Sequence, residues 1–224
     1  MSLTDLYFAH NCGILFYTPE SIFLESSFPP SRAYPSPKPD IDFQAIEANS
    51  SIDLRALLDK DKRSPELVLL VGSPASGKST LCDEYFREYQ RVNQDTLKTL
   101  PKCIQFATKW LKQKVSVVVD NTNPSRDIRR KWIQLARQCR VPVRAVVLES
   151  SRSLANHLNI FRSFGFGTTQ RKVPRVAMNV FFSRYETPSE SEGFFAVVQI
   201  PFQMKKFASK EEEEAFRCYL CESR

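Results

Sequence analysis

Residues 66–89, ELVLLVGSPASGKSTLCDEYFREY, constrain the fold more than any other part of the chain. A short apolar run ends at Gly72, a second glycine follows at 77, and Lys78 and Ser79 come directly after it. Gly-x-x-x-x-Gly-Lys-Ser between a strand and a helix is a complete phosphate-binding loop. Glycines let backbone N–H groups converge on phosphate oxygens without a Cβ in the way, and the helix that follows adds the positive end of its dipole. Lys78 can place its charge against β- and γ-phosphates, and Ser79 can offer a hydroxyl to magnesium. Gly72, Ser73, Pro74, Ala75, Ser76, Gly77, Lys78, Ser79 and Thr80 are therefore the candidate site for a nucleoside triphosphate. The loop does not say where the phosphate goes, because motors, GTPases and kinases all use it. The chain is short for a motor, and no NKxD-type guanine-reading motif occurs in it.

From Glu66 onward, strand and helix alternate four times. ELVLLV leads to SGKSTLCDEYFREY, RVN to DTLKTLPKCIQFATKWLKQK, VSVVVD to NPSRDIRRKWIQLARQCR, and VRAVVLE to SRSLANHLNIFRSF. Pro101 must break or restart the second helix. Asn123 reads as the N-cap of the third, with Pro124 at its first position. β-branched runs such as VSVVV suit strands buried on both faces, so the expected fold is α/β, with a central parallel sheet flanked by helices. Ahead of this unit, five prolines between positions 29 and 39 read as an extended linker. Residues 5–24 combine apolar residues with a helix start at Thr18-Pro19-Glu20. SKEEEEA, 209–215, reads as a solvated acidic helix start.

Composition narrows the classes. No run of about 18 apolar residues exists, so no membrane span is expected, and the N-terminus lacks the layout of a signal peptide. Six cysteines and two histidines give one CxxC, Cys218 to Cys221, with no second pair to complete a zinc site. The cysteines are read as reduced core residues of an intracellular protein. Residues 125–175 carry twelve Lys+Arg against two Asp+Glu, although the whole chain is only +7. Such a block suits a polyanionic partner, or else a solvated helix face.

Two acids stand where a parallel sheet presents ligands, at the C-terminal ends of strands. Asp95 follows the second strand and could accept a proton from a hydroxyl attacking the γ-phosphate, or could cap the next helix. Asp120 ends VSVVVD and could sit near magnesium with Ser79, or could organise its loop by hydrogen bonds.

NQDT (93–96), VVVDNTNP (117–124) and NHLNIFR (156–162) together resemble one family, the kinase domain of bifunctional polynucleotide phosphatase/kinases. The resemblance runs from about Glu66 to about Phe202, and its most specific part is Asp120-Asn121-Thr122-Asn123-Pro124 with Arg129 five residues on. It implies an ATP- and Mg²⁺-dependent P-loop kinase with a helical lid, acting on 5′-hydroxyl ends of DNA in strand-break repair in the nucleus. By the same resemblance Asp95 is the base for the 5′-hydroxyl, and Arg162 is a lid arginine on the phosphates. Asn121, Thr122, Arg129 and Arg130 are the remaining expected substrate contacts. Gln94 departs from the arginine expected there. Gly165-Phe166-Gly167 could hinge the lid or be a simple loop. Residues 1–28 are similar to the last strand and helix of the phosphatase domain, without its DxDxT nucleophile motif. The expected organisation is thus a phosphatase remnant (1–28), a Pro-rich linker with a short helix (29–65) and a kinase domain (66–224), in a monomer. A kinase for a small metabolite and a catalytically silent ATP-binding adaptor are the rival readings.

Overall fold

The computed structural model of the chain describes residues 3–14, 16–17, 41–166, 172–204 and 206–218. Five strands form one sheet: β1 (Leu67–Val71), β2 (Gln90–Val92), β3 (Val117–Val119), β4 (Val143–Glu149) and β5 (Ala196–Pro201). All neighbours are parallel, in the order β2-β3-β1-β4-β5. The strand that carries the phosphate-binding loop is therefore central, as the apolar run at 67–71 requires.

Each strand feeds both faces because its side chains alternate. Leu67 and Leu69 enter one core with Val117, Val119, Val143 and Ala145, covered by α6 (Leu100–Lys112) and α7 (Arg126–Cys139). Val68 and Leu70 enter the other with Val118, Val146 and Leu148, covered by α3 (Leu54–Asp59) and α4 (Lys78–Tyr85). The remaining helices are α1 (Leu3–Asn11), α2 (Phe43–Asn49), α5 (Gln94–Leu97), α8 (Arg152–Phe161), α9 (Arg175–Arg184) and α10 (Lys210–Arg217).

Several local expectations change. Pro101 does restart a helix: α5 ends at Leu97, Thr99 caps α6 by accepting from Lys102 N, and the proline sits in the first turn. Asn123 is not a cap. Its backbone is left-handed (φ 43°), its side chain donates to Leu70 O at 2.8 Å, and α7 begins three residues later after Ser125. Glu186 supplies the missing cap from a distance, accepting from Arg126 N at 2.8 Å. The strand that the resemblance implies near the N-terminus does not occupy Leu3–Asn11, which is helical. Thr18 and the proline linker lie outside the described residues. Cys82, Cys103 and Cys139 are buried, whereas Cys12 is exposed and therefore no core residue. The acidic helix is less solvated than its charges suggest, because Phe216 of α10 is buried against Phe161 and Phe207. Among the described residues, no helix is long and apolar enough to cross a membrane.

One set of contacts joins distant parts of the chain. Asn49 Nδ2 donates to Phe202 O at 3.1 Å, and Gln203 Nε2 donates to Asn49 O at 2.7 Å and Ile52 O at 2.8 Å. Arg217 of α10 pairs with Glu47 of α2 at 2.6 Å. The helices within the expected linker segment are thus fastened to the segment after β5.

Candidate active site

The loop after β1 has the close approaches that its glycines predict. A Cβ at Gly72 would stand 2.8 Å from Ser76 Oγ and 3.2 Å from Leu148 Cβ, and Gly77 turns into α4 with φ 91°. Lys78 is buried and folded over its own loop, donating to Ser73 O at 2.5 Å, Gly72 O at 3.1 Å and Ser76 Oγ at 3.3 Å. Burial pushes its pKa down to about 8; Asp120 opposes that shift and Arg162 adds to it. A phosphate chain in the loop would supply the negative charge this ammonium lacks.

Asp120 is buried at the end of β3. Its Oδ2 accepts from Ser79 Oγ at 2.9 Å, Asn93 Nδ2 at 3.3 Å and Arg91 Nε at 3.1 Å. Arg91, which the sequence argument passed over, also pairs with Asp83 at 2.8 Å and so bridges two acids. Nothing in a short strand flags such a residue, since one partner lies in α4 and the other follows β3. Ser79 and Asp120 together offer two hard oxygen donors at the foot of the phosphate-binding helix. That set fits Mg²⁺, which commonly binds through one or two carboxylates plus phosphates and water.

Asp95 lies in α5, which stands next to this pair because Asn93 joins the two. Asn93 Nδ2 donates to Asp120 O at 3.0 Å, and its Oδ1 accepts from Asp95 N at 2.8 Å and Thr96 N at 3.3 Å. Asn93, not Asp95, is thus the helix cap. The Asp95 carboxylate is exposed and, among the described residues, has neither hydrogen bond nor ion pair; its polar contacts are through its backbone, whose carbonyl accepts from Lys98 Nζ at 2.7 Å. The capping alternative for Asp95 falls away.

The Asp120–Pro124 loop is anchored by its own polar groups. Asn121 Oδ1 accepts from Gln94 N at 2.9 Å, and Thr122 O accepts from Gly72 N at 3.3 Å. Arg129 departs from expectation. It is fully buried, donates from Nε and Nη2 to both carboxylate oxygens of Glu192, and from Nη1 to Asn123 O and Pro124 O. It cannot reach a polynucleotide; it holds the loop. Arg130 and Lys131 are exposed on the same helix.

Arg162 opens a single 3₁₀ turn after α8 and lines the same cleft as Lys78 and Ser79. Its burial lowers its own pKa. Gly165, with φ 79°, follows the turn, and Gly167 lies outside the described residues. The cleft, about 660 Å³, runs from the phosphate-binding loop over Ile200 to Phe202, Met204 and Phe207. Among the described residues no group of three or more His, Cys, Asp or Glu could hold a metal ion by itself.

The family described as an AAA domain matches residues 98–188. A bifunctional polynucleotide phosphatase/kinase of Schizosaccharomyces pombe is 43% identical over 206 residues, covering 91% of this chain and 48% of its own length. A relative from Acanthamoeba polyphaga mimivirus is 32% identical over 211 residues, covering 91% of this chain and 49% of its own. The chain spans about half the length of the curated relatives it matches. Among solved structures, Chaetomium thermophilum Kti12 in complex with ADP-AlF3 superimposes with a TM-score of 0.50 at 16% identity, over 67% of this chain and 95% of that one. The fold is that of P-loop kinases.

Proposed function

We propose that this chain, a relative of the bifunctional polynucleotide phosphatase/kinases over 91% of its length, is an ATP-dependent polynucleotide 5′-hydroxyl kinase. The observation that carries the reading is that Asn93 ties two acidic residues together by their backbones, donating to Asp120 O and accepting from Asp95 N. Asp120 is buried beside Ser79 at the phosphate loop, while Asp95, one strand further out, is exposed and unengaged. In this reading one acid serves the donor phosphates and the other an incoming hydroxyl.

In that reading the Asp95 carboxylate takes the proton of the 5′-hydroxyl as its oxygen attacks the γ-phosphorus and the bond to the ADP oxygen breaks. Lys78 and Arg162 neutralise the charge on the moving phosphoryl group, which positions and stabilises rather than forming covalent intermediates. Magnesium, when held by Ser79 and Asp120, would supply further charge neutralisation on the β- and γ-oxygens. Lys98, whose ammonium reaches the Asp95 carbonyl, and the exposed Arg130 and Lys131 are suitable for the phosphates of a polynucleotide. The finer assignments belong to the same proposal: DNA as the polynucleotide, repair of strand breaks in the nucleus, and a phosphatase remnant ahead of the kinase.

The test is phosphoryl transfer from γ-labelled ATP to a 5′-hydroxyl oligonucleotide, compared with free nucleosides and sugars. Label on the oligonucleotide 5′ end alone is expected. Transfer to the small acceptors but not to the oligonucleotide would leave a metabolite kinase instead.

A further inference from the structure

The phosphate-binding loop follows the middle strand, and Asp120 and Asp95 follow β3 and β2 to one side of it. In-line transfer then directs the rest of the donor nucleotide to the other side, over β4 and β5. There the cleft continues, and Leu54, Phe202, Met204 and Phe207 line it. Three of these follow β5, but Leu54 belongs to α3, in the segment read from sequence as linker. Leu54 is half-buried and packs against the core beneath α4. Its position is fixed by the contacts from Asn49, Gln203 and Arg217 that fasten α2 and the turn before α3 to the segment after β5.

We infer that residues 43–59 form one wall of the nucleobase site, with Leu54 facing Phe202, Met204 and Phe207 across the purine of the donor nucleotide. Apolar and aromatic walls with a few placed polar groups suit a flat heterocycle. Gln203, also on the cleft, supplies such a group. Its amide N–H bonds go to Asn49 O and Ile52 O, so what it offers a base is the acceptor Oε1. An acceptor matches the exocyclic amino group of adenine and opposes the keto oxygen of guanine. The inference rests on the kinase reading, because the acceptor side of the sheet sets the direction of the donor.

The test titrates the intact chain and a Leu54→Asp variant with ATP, GTP and inorganic tripolyphosphate, each with magnesium. The intact chain is expected to bind ATP more tightly than GTP. Leu54→Asp is expected to weaken ATP by about tenfold or more, the scale of one apolar contact in a pocket, and to leave tripolyphosphate unchanged. Should the aspartate unfold the chain, Leu54→Ala decides, with about tenfold weaker ATP and unaltered tripolyphosphate expected on the same scale. ATP affinity unchanged in the folded variants, or ATP and tripolyphosphate falling together in Leu54→Ala, overturns the wall. Equal affinities for ATP and GTP overturn the role of Gln203. An intact chain that binds neither ATP nor tripolyphosphate overturns the kinase reading instead.

Discussion

Arg129 and Glu192 meet through two parallel hydrogen bonds, Nε to Oε2 at 2.9 Å and Nη2 to Oε1 at 2.7 Å, although 63 residues separate them. The pair joins α7 to the turn before β5, and the remaining guanidinium nitrogen holds the carbonyls of Asn123 and Pro124. The loop that carries Asp120 is thereby fixed from behind by a buried cation.

Removing one partner leaves the other charged and buried. Glu192→Ala is expected to cost about 3–5 kcal/mol of stability, the scale for breaking a buried pair, measured by urea unfolding. The Arg130→Ala/Lys131→Ala double variant should keep full stability. It should instead flatten the salt dependence of DNA binding by about one unit of slope per charge removed. An unaltered slope would place the DNA path elsewhere than α7.

Asp95→Asn keeps the shape of the side chain and removes the base. Turnover is expected to fall by at least about a hundredfold, the usual scale for a lost general base, with ATP affinity retained. Near-normal turnover would show that this carboxylate does not take the proton.

Lys78 makes nucleotide binding depend on pH. In the nucleotide-free chain its pKa is lowered to about 8 by burial, and the phosphates of ATP favour the ammonium form and raise it again. Below pH 8 the lysine is already charged and affinity is flat. Above pH 8 binding takes up a proton, so affinity declines as pH rises. Calorimetry at pH 9 in buffers of different ionisation enthalpy should register that uptake, and its absence would mean that Lys78 stays charged throughout.

His157 reports on the packing of α10. Its ring meets the edges of Phe43 and Phe216 at centroid distances of 5.7 and 4.9 Å, and burial pushes its pKa down to about 4. The unfolded chain therefore protonates first as pH falls. The contribution of His157 to stability is level above pH 6.5 and declines between 6.5 and 4, by about 3 kcal/mol in total. Urea unfolding at pH 7.5 and 4.5 measures the drop, and His157→Phe should shrink it. A drop of equal size in that variant would assign the sensitivity to other groups.

What could be read from sequence was what repeats along the chain. β1, β3 and β4 were legible because continuous β-branched runs can be buried on both faces, and Gly72, Gly77 and Lys78 because their spacing has one common use. Pro101 announced the break between α5 and α6. Where the reading failed, the deciding contact was far away. Asn123 has the residue type of a cap, but Leu70 O draws its side chain elsewhere. Arg129 was expected to contact substrate, and neither its motif nor its charge says that Glu192 would meet it inside. Arg91 and Gln203 gave no signal, since a hydrogen bond across 29 or 154 residues has no periodicity.

The bonds from Asn49 to Phe202 and from Gln203 to Asn49 span 153 and 154 residues, so they join parts of the chain that are synthesised at very different times. Chains emerge from the ribosome N-terminus first, so α2 and α3 are synthesised early and wait for their partners. The central strands and the phosphate loop can associate while residues 202–217 are still inside the exit tunnel. The far wall of the cleft can form only once residues 202–217 have emerged. A nascent chain therefore has its phosphate-binding loop before the far wall of its cleft, and nucleotide could favour that step by occupying the finished site.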